Sequence, residues 1–86
     1  MWMIKLGGEA IKDARKIQNS PLADKVQELL AVIANNPFQS PPPYEKLAPP
    51  TAETYSRRIN RQHRLVYKVF KEQGIVRILR MWTHYE

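Results

Sequence analysis

Apolar residues recur at helical spacing early in the chain and alternate with polar ones late in it, so the sequence changes period partway along. The opening run WMIKL, Trp2 to Leu6, has the character of a short strand, and Gly7-Gly8 closes it. From Glu9 onward Ala10, Ile11, Ala14 and Ile17 fall on one helical side, leaving Lys12, Asp13, Arg15 and Lys16 outside. Ser20-Pro21 supplies a hydroxyl cap and a proline whose missing N–H costs nothing in a first turn. Leu22, Val26, Leu29, Leu30 and Ile33 then form a second apolar stripe, stopped at Asn35-Asn36-Pro37. This pattern predicts a helical hairpin with a core-packing face.

The next stretch, PFQSPPPYEKLAPP, holds six of the seven prolines. Proline fixes φ and restricts its predecessor, so the connector is expected to be extended and stiff. Three strand-like runs follow: TYSRRI, HRLVYKVF and IVRILRMWTH, separated by turns at Asn60-Arg61-Gln62 and Glu72-Gln73-Gly74. Helices first and hairpins last predict an α+β fold, with the helical hairpin on one face of an antiparallel sheet. With the N-terminal strand included, the sheet has about four strands. The length of 86 residues predicts a single domain over 1–86.

Charge changes the picture more than composition does. Fourteen Lys and Arg against eight Asp and Glu give a formal charge of +6, which suits a partner rich in phosphates or carboxylates. Solubility charge alone is the competing explanation, and a basic protein on a membrane surface a more distant one. The chain has no cysteine, which removes disulfides and thiolate metal sites and fits a reducing compartment. No secretory run and no stretch of about 20 apolar residues is present, so a soluble cytoplasmic protein is expected. His63 and His84 are far apart and lack carboxylates at ligand spacing, which leaves a metal site poorly supported.

The remaining chemistry lies in arginines. Alternation places Arg57 with Tyr55 and Ile59 on one side of a strand, and Ser56 with Arg58 on the other. Arg64 shares its side with Val66 and Lys68. One sheet face is expected to meet the helices and the other to present guanidinium groups, which are either solvated strand charges or forks for phosphate oxygens.

PPPYEKL, then YSRRINRQHRLVYKV, then HYE near the end resembles the YoeB/Txe toxins of the RelE-like superfamily, part of bacterial type II toxin–antitoxin systems. The resemblance covers at least Pro37 to Tyr85 and is weaker across the helices. It implies a microbial-ribonuclease-like fold and a ribosome-dependent endoribonuclease that cuts messenger RNA without cofactor or metal. By position, the general base falls on Glu45, the transition-state arginine on Arg64, the general acid on His84 and its tyrosine neighbour on Tyr85. Arg57 and Arg58 fall on the family's paired arginines, expected to contact phosphate or ribosome, and Arg61 and Arg80 are grouped with them. The implied partners are a cognate acidic antitoxin of YefM/Phd-like or Axe-like type, the ribosome with its message, and a second copy of the chain. Operator DNA would be reached only through the antitoxin, and no membrane is involved. The chain departs from the family pattern at Ala48, Thr51 and Glu53, and Glu86 extends it past the usual final tyrosine. Glycine is common where Glu53 stands, so the easy backbone angles differ there.

Overall fold

The structure is a computed structural model that describes residues 1–47 and 53–82. In chain order its elements are β1 (Met3–Leu6), α1 (Gly8–Gln18), α2 (Ala23–Asn35), β2 (Glu45–Lys46), β3 (Thr54–Arg58), β4 (Arg64–Phe70) and β5 (Ile75–Arg80). The strands form one sheet in the order β1-β5-β4-β3-β2. The architecture is α+β, with two helices on a five-stranded mixed sheet.

Two details go beyond the pattern of periods. The fifth strand is β2, only two residues long, too short to show alternation in sequence. It pairs antiparallel with β3 through Glu45↔Ser56 and Lys46↔Tyr55. The N-terminal strand runs parallel to β5, a neighbour that no tight turn could supply and that the chain reaches only after both helices and three further strands. The β3–β4 and β4–β5 pairs are the expected antiparallel hairpins.

The helices form where the apolar spacing places them, with two corrections on α1, at Asp13 and at Ile11, which the spacing puts on the apolar side but which is exposed. Ala10 and Ile17 of α1 are buried, and so is Asp13, which the spacing assigned to the outer side. Asp13 stands three residues after Ala10 and four before Ile17, which puts it on the inner stripe. Helix α2 buries Val26, Leu29 and Ile33 and ends at Asn35, as the Asn-Asn-Pro stop predicts. It begins at Ala23, two residues beyond Pro21, because Ser20 works in the turn between the helices. The Ser20 hydroxyl donates to the Ile17 carbonyl (2.8 Å) and accepts from the Leu22 N–H (3.1 Å).

Alternation along the long strands then divides the sheet into two faces. Tyr55, Leu65, Tyr67, Val69, Val76 and Ile78 join the helical stripes in one buried cluster. Fully burying a residue such as Leu29 or Ile33 stabilises the fold by about 1.5–3 kcal/mol. The opposite face carries three cross-strand rows whose members point the same way. These are Arg58↔Arg64, then Glu45↔Ser56↔Val66↔Arg80, then Thr54↔Lys68↔Arg77↔Lys5. A bulge at Val66/Tyr67 shifts the register, so Arg80 rather than Leu79 stands opposite Val66. Among the described residues no helix is long and apolar enough to cross a membrane.

Candidate active site

Glu45 reaches the open face because the proline connector delivers it to the sheet edge in a fixed register. Arg57 is what fixes the connector. Its side chain is 0% exposed and points to the helix side, between the rings of Tyr44 (5.1 Å) and Tyr67 (5.9 Å). Its guanidinium donates to the carbonyls of Pro37 (3.1 Å), Gln39 (2.8 Å) and Pro42, and to the Tyr67 hydroxyl (3.1 Å). The Tyr67 hydroxyl in turn donates to the Pro37 carbonyl (2.8 Å). Burial raises the Tyr67 pKa, and the nearby Arg57 charge offsets part of that rise. Phe38, Tyr44 and Tyr55 pack against one another over the same connector. The resemblance implies that Arg57 meets phosphate or ribosome, whereas here its donors go to three backbone carbonyls and the Tyr67 hydroxyl inside the protein.

On the open side, β2 places the Glu45 carboxylate 3.3 Å from the Arg64 guanidinium. The glutamate side chain is 70% exposed and the arginine side chain 14%, so the two differ sharply in freedom. Arg64 is held from behind, where its Nε donates to the Ser56 hydroxyl in the buried middle of β3. Ser56 is a site residue that stands within the motif but to which the resemblance assigns no role. Its signal in the sequence is the alternation that puts it on the face of Arg58, one register step from Arg64. Arg58 stands directly across from Arg64 and is exposed. Pro43, Tyr44, Glu45, Arg58 and Arg64 enclose a hollow of about 80 Å³.

The remaining expected residues divide. Arg61 is exposed in the β3–β4 turn, at the end of the sheet that carries Arg58 and Arg64. Arg80 is engaged internally: its Nε donates to Asp13 Oδ2 (2.8 Å), and its Nη2 to Asp13 Oδ1 (3.4 Å) and the Trp82 carbonyl (3.1 Å). That fork holds Asp13 and a backbone carbonyl, whereas the sequence groups Arg80 with the phosphate contacts. Asp13 also accepts from the N–H groups of Met81 (2.9 Å) and Trp82 (3.2 Å). Burial is the largest influence on Asp13 and works against its charge. The Arg80 and backbone hydrogen bonds and the Arg80 charge together outweigh it, holding the carboxyl below its usual range. Trp82 stacks on the buried His63 ring with centroids 4.2 Å apart. The chain is thus gripped twice just before residue 83. His84, Tyr85 and Glu86 lie outside the described residues, as do Ala48 and Thr51.

An exposed carboxylate beside a braced arginine, on a basic sheet face backed by a helical hairpin, defines an α+β protein with a candidate anion-binding site, and the comparisons give its family. Residues 9–85 match the family model for the YoeB-like toxin of bacterial type II toxin–antitoxin systems, and the chain belongs to that family. Among solved structures it is similar to the YoeB/ParE toxin from Agrobacterium tumefaciens, at 24% identity and a TM-score of 0.87, covering 96% of this chain and 99% of that one. It is also similar to the YoeB–YefM complex from Staphylococcus aureus, at 32% identity and a TM-score of 0.81, covering 99% of both chains. The E. coli DinJ–YafQ complex shares the fold at 20% identity and a TM-score of 0.82, with 98% and 94% covered. No curated protein matches the sequence.

Proposed function

We propose that this toxin is an endoribonuclease that cuts messenger RNA in the ribosome, using the ribose 2′-hydroxyl as nucleophile. Glu45 takes the proton from that hydroxyl as its oxygen attacks the adjacent phosphorus. Arg64 stabilises the charge that gathers on the non-bridging oxygens. His84 gives a proton to the departing 5′-oxygen, and Tyr85 lies beside it in the sequence. Bonds and protons balance: one P–O bond forms, one breaks, and a cyclic phosphate and a 5′-hydroxyl end result. Arg58 and Arg61 attract the neighbouring phosphates.

The observation that carries this reading is the Glu45–Arg64 pair at 3.3 Å within the hollow. An ion pair with one partner so exposed stabilises the free protein by only about 0–1 kcal/mol. A phosphate can therefore take over the guanidinium and leave the carboxylate beside the ribose. The Ser56 bond keeps Arg64 in place during that exchange. The antitoxin in the Staphylococcus aureus YoeB–YefM complex supports an antitoxin partner here, and the YoeB dimer from the same organism supports self-association.

Ribosomes carrying a defined message test the reading. The toxin is expected to create new 5′-hydroxyl ends at the decoding site. Glu45→Gln, Arg64→Ala and His84→Gln are each expected to lower cleavage at least about 100-fold. Stalled but intact message with the unaltered toxin would instead assign the chain a binding role without cutting.

A further inference from the structure

The third cross-strand row of the open face places three cations side by side, with Lys5 opposite Arg77 and Arg77 opposite Lys68. Like charges directly across a ladder repel, so this arrangement is unfavourable in the free protein unless an anion joins it. Among the described residues no carboxylate pairs with Lys68 or Arg77. Of the carboxylates nearby, Asp13 holds Arg80, while Glu53 lies 3.6 Å from Lys71 and Glu9, which lines the hollow beside Arg77, lies 3.7 Å from Lys12 in exposed pairs. Two adjoining hollows of about 480 and 400 Å³ open along the row and share Arg77 and the Phe70 ring. Gly7 makes room for the arginine, since a Cβ there would sit 3.2 Å from Arg77 Nε. Lys68 Nζ lies 5.4 Å from the centre of the Phe70 ring, over the apolar floor between the hollows.

We propose that Lys68 and Arg77 hold a phosphodiester of the same RNA strand that is cut at Glu45 and Arg64, an inference that rests on the ribonuclease reading above. The charge row and the Glu45 row lie on one face, two residues apart along β3 and β4, roughly 7 Å, and three apart along β5, where the bulge falls. A single strand leaving the scissile linkage crosses Lys68 and Arg77 within a few nucleotides. Arg80 forms part of the wall but its fork is occupied by Asp13, so the cationic contacts fall to the other two.

Binding of uncleavable 2′-O-methyl RNA, about three or about nine nucleotides long, tests the proposal across a salt series. For single strands the slope of log K against log salt shrinks by about 0.7 for each phosphate that the protein no longer neutralises. The Lys68→Gln/Arg77→Gln double variant is expected to give a slope about 0.7–1.4 shallower on the longer RNA and unaltered on the shorter. Lys68→Arg is expected to retain the full slope, and an unchanged thermal midpoint shows the folded state is intact. An unaltered slope on the longer RNA overturns the proposal. So does a defect confined to co-sedimentation with ribosomes, which would assign the row to ribosomal RNA. Cleavage of programmed message is read separately: intact message with a slope that still responds to Lys68 and Arg77 removes the ribonuclease reading and leaves the phosphate site standing.

Discussion

At Glu53 the backbone adopts a φ of 58°, the left-handed region, where a side chain costs about 1–2 kcal/mol. The chain departs from the usual glycine at this position, and the structure shows the angle that glycine would take easily. The Glu53 carbonyl still accepts the Val69 N–H (3.0 Å), so the conformation is tied to the sheet. Its carboxylate accepts from the Tyr55 hydroxyl (3.3 Å) and pairs with Lys71 (3.6 Å). Burial raises the Tyr55 pKa, and the adjacent Glu53 charge adds to it, which keeps the hydroxyl protonated as a donor. The Lys71 pair is largely exposed and contributes little. Glu53→Gly is expected to stabilise the fold by about 0.5–1 kcal/mol, because relief of strain exceeds both the side chain's own bonds and the added chain entropy. Urea unfolding would show a higher midpoint at unchanged slope. A lower midpoint would mean that the bonds to Tyr55 and Lys71 outweigh the strain.

The connector between α2 and β2 shows how far pattern reading extends at the level of an element. Its prolines make its stiffness legible, and Glu45 is reached by resemblance to a motif. What the connector docks on is not legible, because alternation sorts residues onto two sides without saying which side is the core. Tyr55, Arg57 and Ile59 alternate with Ser56 and Arg58, and the guanidinium on the apolar side is the buried one. An arginine flanked at i−2 and i+2 by large apolar residues is the available signal. Its donors satisfy carbonyls that the prolines, lacking N–H groups, leave unpaired by any ladder. Arg57→Met, which keeps the stem and removes the fork, is expected to cost about 3 kcal/mol or more. It should also weaken cleavage beyond the loss of folded protein, since β2 would no longer hold Glu45 beside Arg64. Activity normalised to the folded fraction, compared with a Leu29→Ala variant of similar stability loss, separates these effects. Equal normalised activity in the two would show that Arg57 does not position the glutamate.

Across the whole molecule the deciding contact joins residues 67 to 69 positions apart, a separation that no local period records. Asp13 on α1 accepts from Arg80, Met81 and Trp82, and so fastens the first helix to the end of the last strand. Its charge and its exposed neighbours Lys12 and Arg15 suggest a surface position, although its spacing from Ala10 and Ile17 is that of the buried stripe. Its carboxyl is held below the usual range in the folded protein, against about 3.9 in an unfolded chain. The unfolded state therefore binds the proton more readily, and acid favours unfolding. The contribution is fully present well above about pH 4 and disappears as pH falls through the depressed folded value. Asp13→Asn is expected to cost about 1–3 kcal/mol at neutral pH, with Met81 N–H left short of a strong acceptor and the partly exposed Arg80 returning to water. The gap between the variant and the unaltered protein should stay level from about pH 7 to 5 and narrow toward pH 3. Urea midpoints across that range provide the check. A gap of full size at pH 3 would show that the shape of the side chain, rather than its charge, fastens α1 to β5.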